Sequence, residues 1–279
     1  MKNKVIWITG ASSGIGEALV YAYNNSGANL IISARNRDEL FRVKGNCKNQ
    51  INVHVLSFDL ADTASLADKA RDAQKIFGHI DMLINSGGLS QRSLALETAL
   101  NVEQKLMNVN FWGTVALSKA VLPQMIAKGG GKIVCISSLT GKFGTAYRSA
   151  YAASKHALHG YFDSLRAEVF DKNIQITMVC PGYIKTNISL NAMTADGQLH
   201  NKMDENQEHG LAAAECASLI VKAIQQNKEE VYMGGKEVKG ILFKRFFPLR
   251  FSKYMRTKIW LFRKPGTSIH RISCYKTKS

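Results

Sequence analysis

Seven short runs of β-branched and other apolar residues alternate with longer stretches of helical periodicity along the chain. The runs predict strands at residues 5–9, 29–33, 52–58, 82–85, 132–137, 174–179 and 230–233. The stretches between them predict helices near residues 15–26, 36–44, 62–77, 100–127, 148–170 and 211–226. Because a crossover helix returns the chain to the same end of the sheet, this order predicts an α/β fold with a doubly wound, parallel, seven-stranded sheet.

The first predicted strand and helix are joined by a glycine-rich turn in VIWITGASSGIGEALVYAY. Its glycines, Gly10, Gly14 and Gly16, are spaced G-x-x-x-G-x-G. Glycines at this place let the backbone approach a pyrophosphate, and the N–H groups and dipole of the following helix stabilise its charge. The turn therefore predicts a Rossmann-type dinucleotide site, and the alternative interpretation is a tight turn without a ligand.

The second predicted strand ends in LIISARNR, where an acidic residue would bond the adenosine ribose hydroxyls of a dinucleotide. This chain has Ala34, Arg35 and Arg37 there instead. Cations suit a 2′-phosphate, so the sequence favours NADP(H) over NAD(H), with Arg35 as the main contact. The alternative is that the two arginines are solvated at the start of a helix.

A tyrosine and a lysine, Tyr151 and Lys155, lie four residues apart in SAYAASKHALHGYF. Residues at this spacing share one face of a helix. Alone, the pair is typical of surface neighbours in which the lysine stem lies on the ring. A function can therefore be assigned to the pair only together with the other motifs of the chain.

Five motifs, TGASSGIG, NVNFWG, IVCISS, SAYAASK and CPGYIKT, follow one another along the chain. Their order resembles that of the short-chain dehydrogenase/reductase family, over about residues 4–235. Within the family, YFDSLRAE and PGYIKTNISLNAMTADG are most similar to one branch. The resemblance implies hydride transfer between a nicotinamide cofactor and a carbonyl or alcohol carbon.

The resemblance also assigns roles to four residues. It implies that Tyr151 is the general acid of ketone reduction, or the base in the reverse direction, and that Ser138 hydrogen-bonds the substrate oxygen. A phenol has a pKa near ~10, so the ammonium of Lys155 is expected to lower it and also to bond the nicotinamide ribose. Asn110 matches the asparagine that holds a water near the lysine in a proton relay.

Further residues match the cofactor contacts of the family. Asp59 and Leu60 resemble the pair that contacts adenine, and the segment from Pro181 to Thr186 resembles the one that holds the nicotinamide carboxamide. The implied cofactor set is Gly10, Ser12, Ser13, Gly14, Ile15, Gly16, Arg35, Asp59, Leu60, Asn85, Gly87, Tyr151, Lys155, Pro181, Gly182, Ile184 and Thr186. One departure is NSGG at residues 85–88 in place of N-N-A-G, which puts sheet-to-helix hydrogen bonding there in doubt.

Three interpretations of the activity are open. The first is an NADPH-dependent carbonyl reductase, or secondary alcohol dehydrogenase, acting on a hydrophobic ketone or alcohol such as a lipid or steroid. The second is a 3-oxoacyl carrier protein reductase whose basic surface recruits the acidic carrier. The third is a nucleotide-binding scaffold or sensor without turnover, which has no need of a tyrosine beside a lysine.

Residues 187–210 form a polar insertion in the position of a substrate lid. Its apolar residues are candidates for lining a substrate pocket or for packing the lid onto the body: Leu190, Met193, Leu199 and Met203.

The formal net charge of +16 is concentrated at the end of the chain, where residues 236–279 hold 13 Lys and Arg against the single acid Glu237. Phenylalanines and other apolar residues lie between these cations, and Pro248 predicts a break into two short helices. Basic and aromatic content together predict docking on an anionic membrane surface. The alternatives are closure of the substrate site or a dimer contact, and nucleic acid is disfavoured because the fold offers no reading element.

The sequence therefore predicts a catalytic domain at residues 1–235 and a basic amphipathic extension at residues 236–279. The five cysteines show no paired spacing and the histidines, among them His156 and His159, have no metal-ligand pattern, so we expect no metal. No leader and no apolar run of about 20 residues is visible, which predicts an intracellular, cytoplasmic chain that is at most peripheral to a membrane. The resemblance implies a homodimer or homotetramer.

Overall fold

The computed structural model describes residues 1–262. Its main sheet has seven parallel strands, in the order β3-β2-β1-β4-β5-β6-β9. These strands are β1 Val5–Thr9, β2 Asn29–Ser33, β3 Val53–Val55, β4 Met82–Asn85, β5 Gly131–Ile136, β6 Ile174–Pro181 and β9 Glu230–Met233. Two further strands, β7 Ile184–Lys185 and β8 Leu211–Ala212, pair with each other in parallel. The predicted doubly wound, parallel, seven-stranded sheet is confirmed.

Ten α-helices are described: α1 Gly14–Asn25, α2 Arg37–Gly45, α3 Leu66–Phe77, α4 Leu100–Met107, α5 Gly113–Ala127, α6 Ser149–Glu168, α7 Glu205–Glu208, α8 Ala213–Gln225, α9 Lys239–Phe246 and α10 Pro248–Phe262. Short 3-10 helices lie at Gln50–Asn52, Leu139–Gly141, Phe170–Lys172 and Lys236–Val238, and a π-helical turn lies at Asn108–Trp112.

Two apolar layers cover the two faces of the sheet. Along β1, Ile6 and Ile8 pack in one layer with residues of α1, α2 and α8, whereas Val5 and Trp7 pack in the other with residues of α3, α5 and α6. Successive side chains of a strand point to opposite faces, so a strand covered on both sides must be apolar throughout. All five residues of β1 are buried, as this requires.

Two elements differ from their predicted form. Strand β3 has three residues, shorter than the predicted 52–58, and it lies at the sheet edge with β2 as its one strand neighbour in the described sheet. The predicted helix 100–127 is interrupted by the π-helical turn, and Pro123 lies inside α5, which ends at Ala127. Pro123 cannot donate to the carbonyl of Lys119, but Lys119 is exposed, so solvent can satisfy that carbonyl.

The basic extension forms two helices, α9 and α10, separated at Pro248 as predicted. Phe251 is buried, and its ring packs edge-on at 5.3 Å from the ring of Phe143 and at 5.6 Å from that of Phe243. Phe143 follows β5, so the extension is docked on the body of the protein. In the described part of the chain, every helix is too short or too polar to cross a membrane.

Removing the ring of Phe251 is expected to release the extension. A buried Phe→Ala change costs about 3–5 kcal/mol, so the opened population of the extension should rise on the order of a hundredfold or more. Limited trypsinolysis within residues 236–262, followed by mass spectrometry, measures this rise for Phe251→Ala. Phe246→Ala is the matched control because Phe246 is 66% exposed. Equal cleavage rates in the two variants would contradict the docking.

Candidate active site

A cavity of about 840 Å³ opens at the carboxyl ends of the parallel strands. In open α/β sheets this edge is where ligands bind, because the segments that follow successive strands meet there. The structure brings the following predicted residues to the cavity wall: Gly10, Ser12, Ser13, Gly14, Ile15, Gly16, Arg35, Asp59, Leu60, Gly87, Ser138, Tyr151, Lys155, Pro181, Gly182, Ile184 and Thr186. Two predicted residues, Asn85 and Asn110, are not part of this wall.

The glycine turn after β1 is fixed against the turn after β4. Gly10 has φ +64°, and a Cβ there would lie 2.6 Å from the Cα of Gly87, so a side chain would separate the two turns. The hydroxyl of Thr9 accepts hydrogen bonds from the N–H groups of Ser86 and Gly87, each at 3.2 Å. Thr9 was not among the predicted site residues, because its role depends on pairing between distant strands.

The contacts of Asn85 show whether the NSGG motif retains a hydrogen bond from sheet to helix. Its Nδ2 donates to the hydroxyl of Ser118 in α5 at 3.1 Å and to Sγ of Cys135 at 3.8 Å. A hydrogen bond from sheet to helix is therefore retained. Because its amide points into the core, Asn85 supports the turn after β4 from behind the cavity.

The other end of the cavity carries the predicted adenosine contacts. Arg35 is exposed at the cavity wall, whereas Arg37 lies over the ring of Phe41 at 5.5 Å and is not part of the wall. The carboxylate of Asp59 accepts the N–H of Ala61 at 2.9 Å. Arg42, which the sequence analysis did not identify, donates to the carbonyl of Ser12 at 3.2 Å and so ties α2 to the glycine turn.

The Tyr151 and Lys155 side chains lie on the buried face of α6. Nζ of Lys155 donates to the carbonyl of Ile136 at 2.9 Å and lies 5.8 Å from the centroid of the Tyr151 ring. Burial disfavours the ammonium form and lowers the pKa of Lys155 to about 8. The lysine is therefore anchored to the end of β5, close to the phenol.

The pKa of Tyr151 departs from the sequence-based expectation. Burial raises this pKa above its ordinary value, and a hydrogen bond with Ser138 and the charges of Arg148 and Arg92 oppose the rise without cancelling it. The net direction is upward, against the lowering expected from Lys155, whose ammonium is bonded to a backbone carbonyl. Arg148 lies three residues before Tyr151, a spacing that could have identified it.

Ser138 begins the short helix Leu139–Gly141, and its hydroxyl accepts the N–H of Thr140 at 3.2 Å. This residue also lies at the cavity wall, where its hydroxyl acts to lower the pKa of Tyr151 against the effect of burial. The cap fixes the Ser138 side chain beside the phenol, so helix capping and a role in the site are compatible.

Asn110 lies in the π-helical turn and holds the loop that follows β4. Its Oδ1 accepts the N–H of Leu89 at 2.7 Å, and its Nδ2 donates to the carbonyl of Leu89 at 2.9 Å and to the hydroxyl of Ser154 at 3.0 Å. A Cβ on Gly88 would lie 3.2 Å from Oδ1 of Asn110 and 3.5 Å from Nζ of Lys155. Asn110 and Lys155 are thus close neighbours, separated by a residue without a side chain.

His159 is buried behind the cavity wall, next to Cys180 and Glu230. Its Nε2 lies 3.1 Å from the hydroxyl of Ser137 and 3.6 Å from Sγ of Cys180, and burial lowers its pKa to about 4. The candidate ligand atoms of His159, Cys180 and Glu230 lie within 4.8 Å of one another. However, Nζ of Lys142 donates to Oε2 of Glu230 at 2.7 Å, so this carboxylate already has a cationic partner. The absence of a metal stays a prediction.

The insertion at residues 187–210 covers part of the cavity. Met193 and Leu199 belong to the cavity wall, as predicted, whereas Leu190 and Met203 do not. The extension also contributes one residue, since Glu237 belongs to the wall and accepts the N–H of Tyr183 at 3.0 Å. The sequence analysis did not identify Glu237, Arg92 or Arg148 as site residues.

Known proteins resemble the chain in sequence and in structure. The sequence profile of the family described as short chain dehydrogenase matches residues 4–196. Dehydrogenase/reductase SDR family protein 7-like of Anopheles gambiae is 44% identical over 242 residues, which are 84% of this chain and 75% of that relative. Dehydrogenase/reductase SDR family member 7B of Mus musculus is 41% identical over 238 residues, which are 84% of this chain and 74% of that relative. A solved short-chain dehydrogenase from Streptomyces avermitilis has a TM-score of 0.77 and 26% identity, covering 93% of this chain and 98% of that one.

These similarities confirm the resemblance noted from the motifs. The branch that the sequence is most similar to, through YFDSLRAE and PGYIKTNISLNAMTADG, is the one that carries the member 7B name. By its profile match, its relatives and its fold, the chain belongs to the short-chain dehydrogenase/reductase family of NAD(P)-dependent oxidoreductases that act on CH–OH groups.

Proposed function

We propose that the chain is an NADPH-dependent carbonyl reductase, or a secondary alcohol dehydrogenase in the reverse direction, for a hydrophobic ketone or alcohol of the lipid or steroid kind. The observation that supports it most is that one cavity has the buried pair Tyr151 and Lys155 on one wall and the glycine turn on the other. In this proposal, residues 1–235 are the catalytic domain, the insertion 187–210 is its lid, and residues 236–279 are an extension.

The glycine turn fits a pyrophosphate. Among the described residues, the Ser13 side chain makes no capping hydrogen bond to α1, so the first N–H groups of this 12-residue helix are open to an anion. In the proposal, Gly10, Ser12, Ser13, Gly14, Ile15 and Gly16 hold the pyrophosphate. Asp59 and Leu60 would contact the adenine, and Pro181, Gly182, Ile184 and Thr186 would hold the nicotinamide carboxamide.

When bound, NADPH supplies the hydride, and the chain's own residues handle the proton. Ser138 donates a hydrogen bond to the carbonyl oxygen of the ketone, and the Tyr151 hydroxyl donates its proton to that oxygen as the alcohol forms. Lys155 would hydrogen-bond the nicotinamide ribose and return a proton toward Tyr151. Asn110 keeps the loop at Gly88 open beside Lys155, where a water of the relay would lie.

The alternatives differ in what they need from the basic surface. A 3-oxoacyl carrier protein reductase needs cations that recruit an acidic carrier, and it has no need of the exposed phenylalanines of the extension. A scaffold or sensor has no need of a buried phenol beside a lysine. The discriminating experiment is a screen of NADPH oxidation against ketones of graded chain length and ring size, with carrier-linked substrates included.

Two adjoining elements complete the proposal. Leu100 and Trp112 are 68% and 51% exposed and border one shallow groove near α4, a face suited to the homodimer or homotetramer that family membership favours.

The extension exposes Leu242, Phe246, Phe247 and Leu249. Exposed cations surround them: Lys236, Lys239, Lys244, Arg245, Arg250, Lys253 and Arg256. We propose that this face docks on an anionic membrane surface, with the rings entering the headgroup region.

Tyr151→Phe is expected to lower turnover by a factor on the order of 10² or more, with NADPH affinity little changed, because it removes the transferable proton and keeps the ring. Lys155→Met should impair both turnover and NADPH affinity. Tyr161→Phe, on the same helix, is the matched control. Steady-state kinetics and NADPH titration measure both quantities, and a Tyr151→Phe variant with full turnover would refute the mechanism.

Arg35→Ala is expected to weaken NADPH binding tenfold to a hundredfold and NADH binding much less. The reason is that a charged hydrogen bond to the 2′-phosphate is worth about 1.5–3 kcal/mol. Calorimetric titration of both cofactors measures this, with Arg37→Ala as control because Arg37 lies over Phe41. Equal losses for the two cofactors would show that Arg35 serves the fold.

The full chain is expected to float with anionic liposomes, because each cation near such a surface contributes about 1 kcal/mol. High salt should weaken this binding without abolishing it, since insertion of the rings is not screened. Truncation after Gly235 should abolish it, and Phe246→Ser combined with Leu249→Ser should weaken it. Phe170→Ser is the control, because Phe170 is 87% exposed outside the extension. A full chain that stays in the soluble fraction at low salt would exclude membrane docking.

A further inference from the structure

Two arginines from different parts of the chain meet at one carboxylate beside the candidate site. Nε of Arg92, in the loop after β4, donates to Asp204 of the lid at 3.2 Å and 3.1 Å, and Nη2 of Arg148, just before α6, donates to the same group at 2.9 Å. The side chains of Arg92, Arg148 and Asp204 are 9%, 19% and 21% exposed. Among the ion pairs of the described residues, these two cations share this one anion, so the cluster carries a net positive charge.

The position of Arg92 is fixed by several hydrogen bonds. Its Nη1 donates to the hydroxyl of Ser90 at 2.8 Å and to the carbonyl of Gln91 at 2.6 Å, and its N–H donates to the carbonyl of Met193 at 2.8 Å. The buried amide of Gln91 accepts the N–H of Tyr151 at 3.3 Å. The loop that carries Arg92 is therefore bonded both to the lid and to the start of α6, where Tyr151 lies.

Charged groups face Tyr151 from three directions. Lys155 lies below the ring on α6, Arg148 precedes α6, and Arg92 comes from the loop after β4. Burial raises the pKa of Tyr151, and the charges of Arg148 and Arg92 act against that rise. From the lid, the charge of Asp204 acts on Arg92, and the charge of Arg92 in turn acts on His200.

At neutral pH the lid contributes the ionised carboxylate of Asp204 and the neutral imidazole of His200. Burial raises the pKa of Asp204, but hydrogen bonds from Arg92 and the charges of both arginines outweigh this and hold the pKa below its usual range. Burial, and then the charge of Arg92, lower the pKa of His200. Asp204 is thus ionised, and it reduces the field that the arginines exert on the phenol.

We propose that Arg92 and Arg148, which line the same cavity wall as Tyr151, are positioning residues for it: their guanidinium charges favour its deprotonated form, while Asp204 of the lid moderates their effect. This rests on the proposed function, in which Tyr151 exchanges a proton with the substrate. Removing an arginine and removing the aspartate should therefore change the acidity of Tyr151 in opposite directions. If the cluster of Arg92, Asp204 and Arg148 had only a structural role, the two kinds of substitution would not shift the pKa of Tyr151 in opposite directions.

The test is an NMR titration of the full chain labelled with ¹³C at tyrosine Cζ, carried out with NADP⁺ and without it. The Tyr151 signal is the one of the nine tyrosine signals that disappears in Tyr151→Phe. Arg148→Gln and Arg92→Gln should raise the titration midpoint, each by about one pH unit, and Asp204→Asn should lower it by a similar amount. Arg148→Lys should restore most of the shift, because it keeps the charge and loses the planar fork. Because Asp204→Asn should move the midpoint toward neutral pH, the titration of this variant stays within the pH range in which the chain is folded.

Three outcomes would overturn the proposal. The first is an unchanged midpoint in Arg148→Gln and Asp204→Asn variants whose melting temperatures show that they are folded. The second is an equal shift in Lys105→Gln, because Lys105 is an exposed cation of the same cavity wall. The third is a raised KM for a ketone in the arginine variants without any change of midpoint, which would assign the arginines to substrate binding. Failure of the proposed function itself would appear separately, as turnover retained in Tyr151→Phe.

Discussion

Parallel pairing of the seven main strands is the constraint on which the site depends. When every strand runs in the same direction, the segments that follow the strands all meet at one edge of the sheet. This brings Gly10, Ser138 and Pro181 to one cavity although they are far apart in sequence. The same pairing requires crossover helices on both faces, so the strands are buried and cannot shift. The rigid edge then presents short turns, in which Gly10 meets Gly87 and Thr9 bonds the turn after β4.

Burial acts on Tyr151 and Lys155 in opposite directions. It raises the pKa of the phenol and lowers that of the ammonium to about 8, so the two pKa values, which are ordinarily similar, are moved apart. Burial therefore keeps the proton on the phenol, as the proposed general acid requires, and the charges of Arg148 and Arg92 limit this effect.

The sequence predicted what is local and missed what depends on distant contacts. The strands at residues 5–9, 29–33, 82–85 and 230–233 have their predicted bounds, because each is a short apolar run between clear breaks. The interruption of the helix 100–127 was not visible, since it accompanies the bonding of Asn110 to Leu89 in another loop. The glycine turn and the pair of Tyr151 and Lys155 are likewise local motifs. The bond between Arg92 and Asp204 joins residues 112 apart in sequence, and no spacing rule identifies such a pair.

The extension connects the basic end of the chain with the cavity. On one side, Phe251 packs on Phe143, and Glu237 accepts the N–H of Tyr183 in the segment after β6. On the other side, exposed cations and apolar side chains lie together, and Glu237 is the only acid from residue 236 to residue 262. The sequence offered two interpretations of this region, docking on a membrane surface and closure of the substrate pocket. The two are compatible, because the buried and the exposed residues lie on opposite faces of α9 and α10. The extension is thus held on the body through Phe251 and Glu237, and its exposed apolar side chains and cations remain on the side away from these contacts.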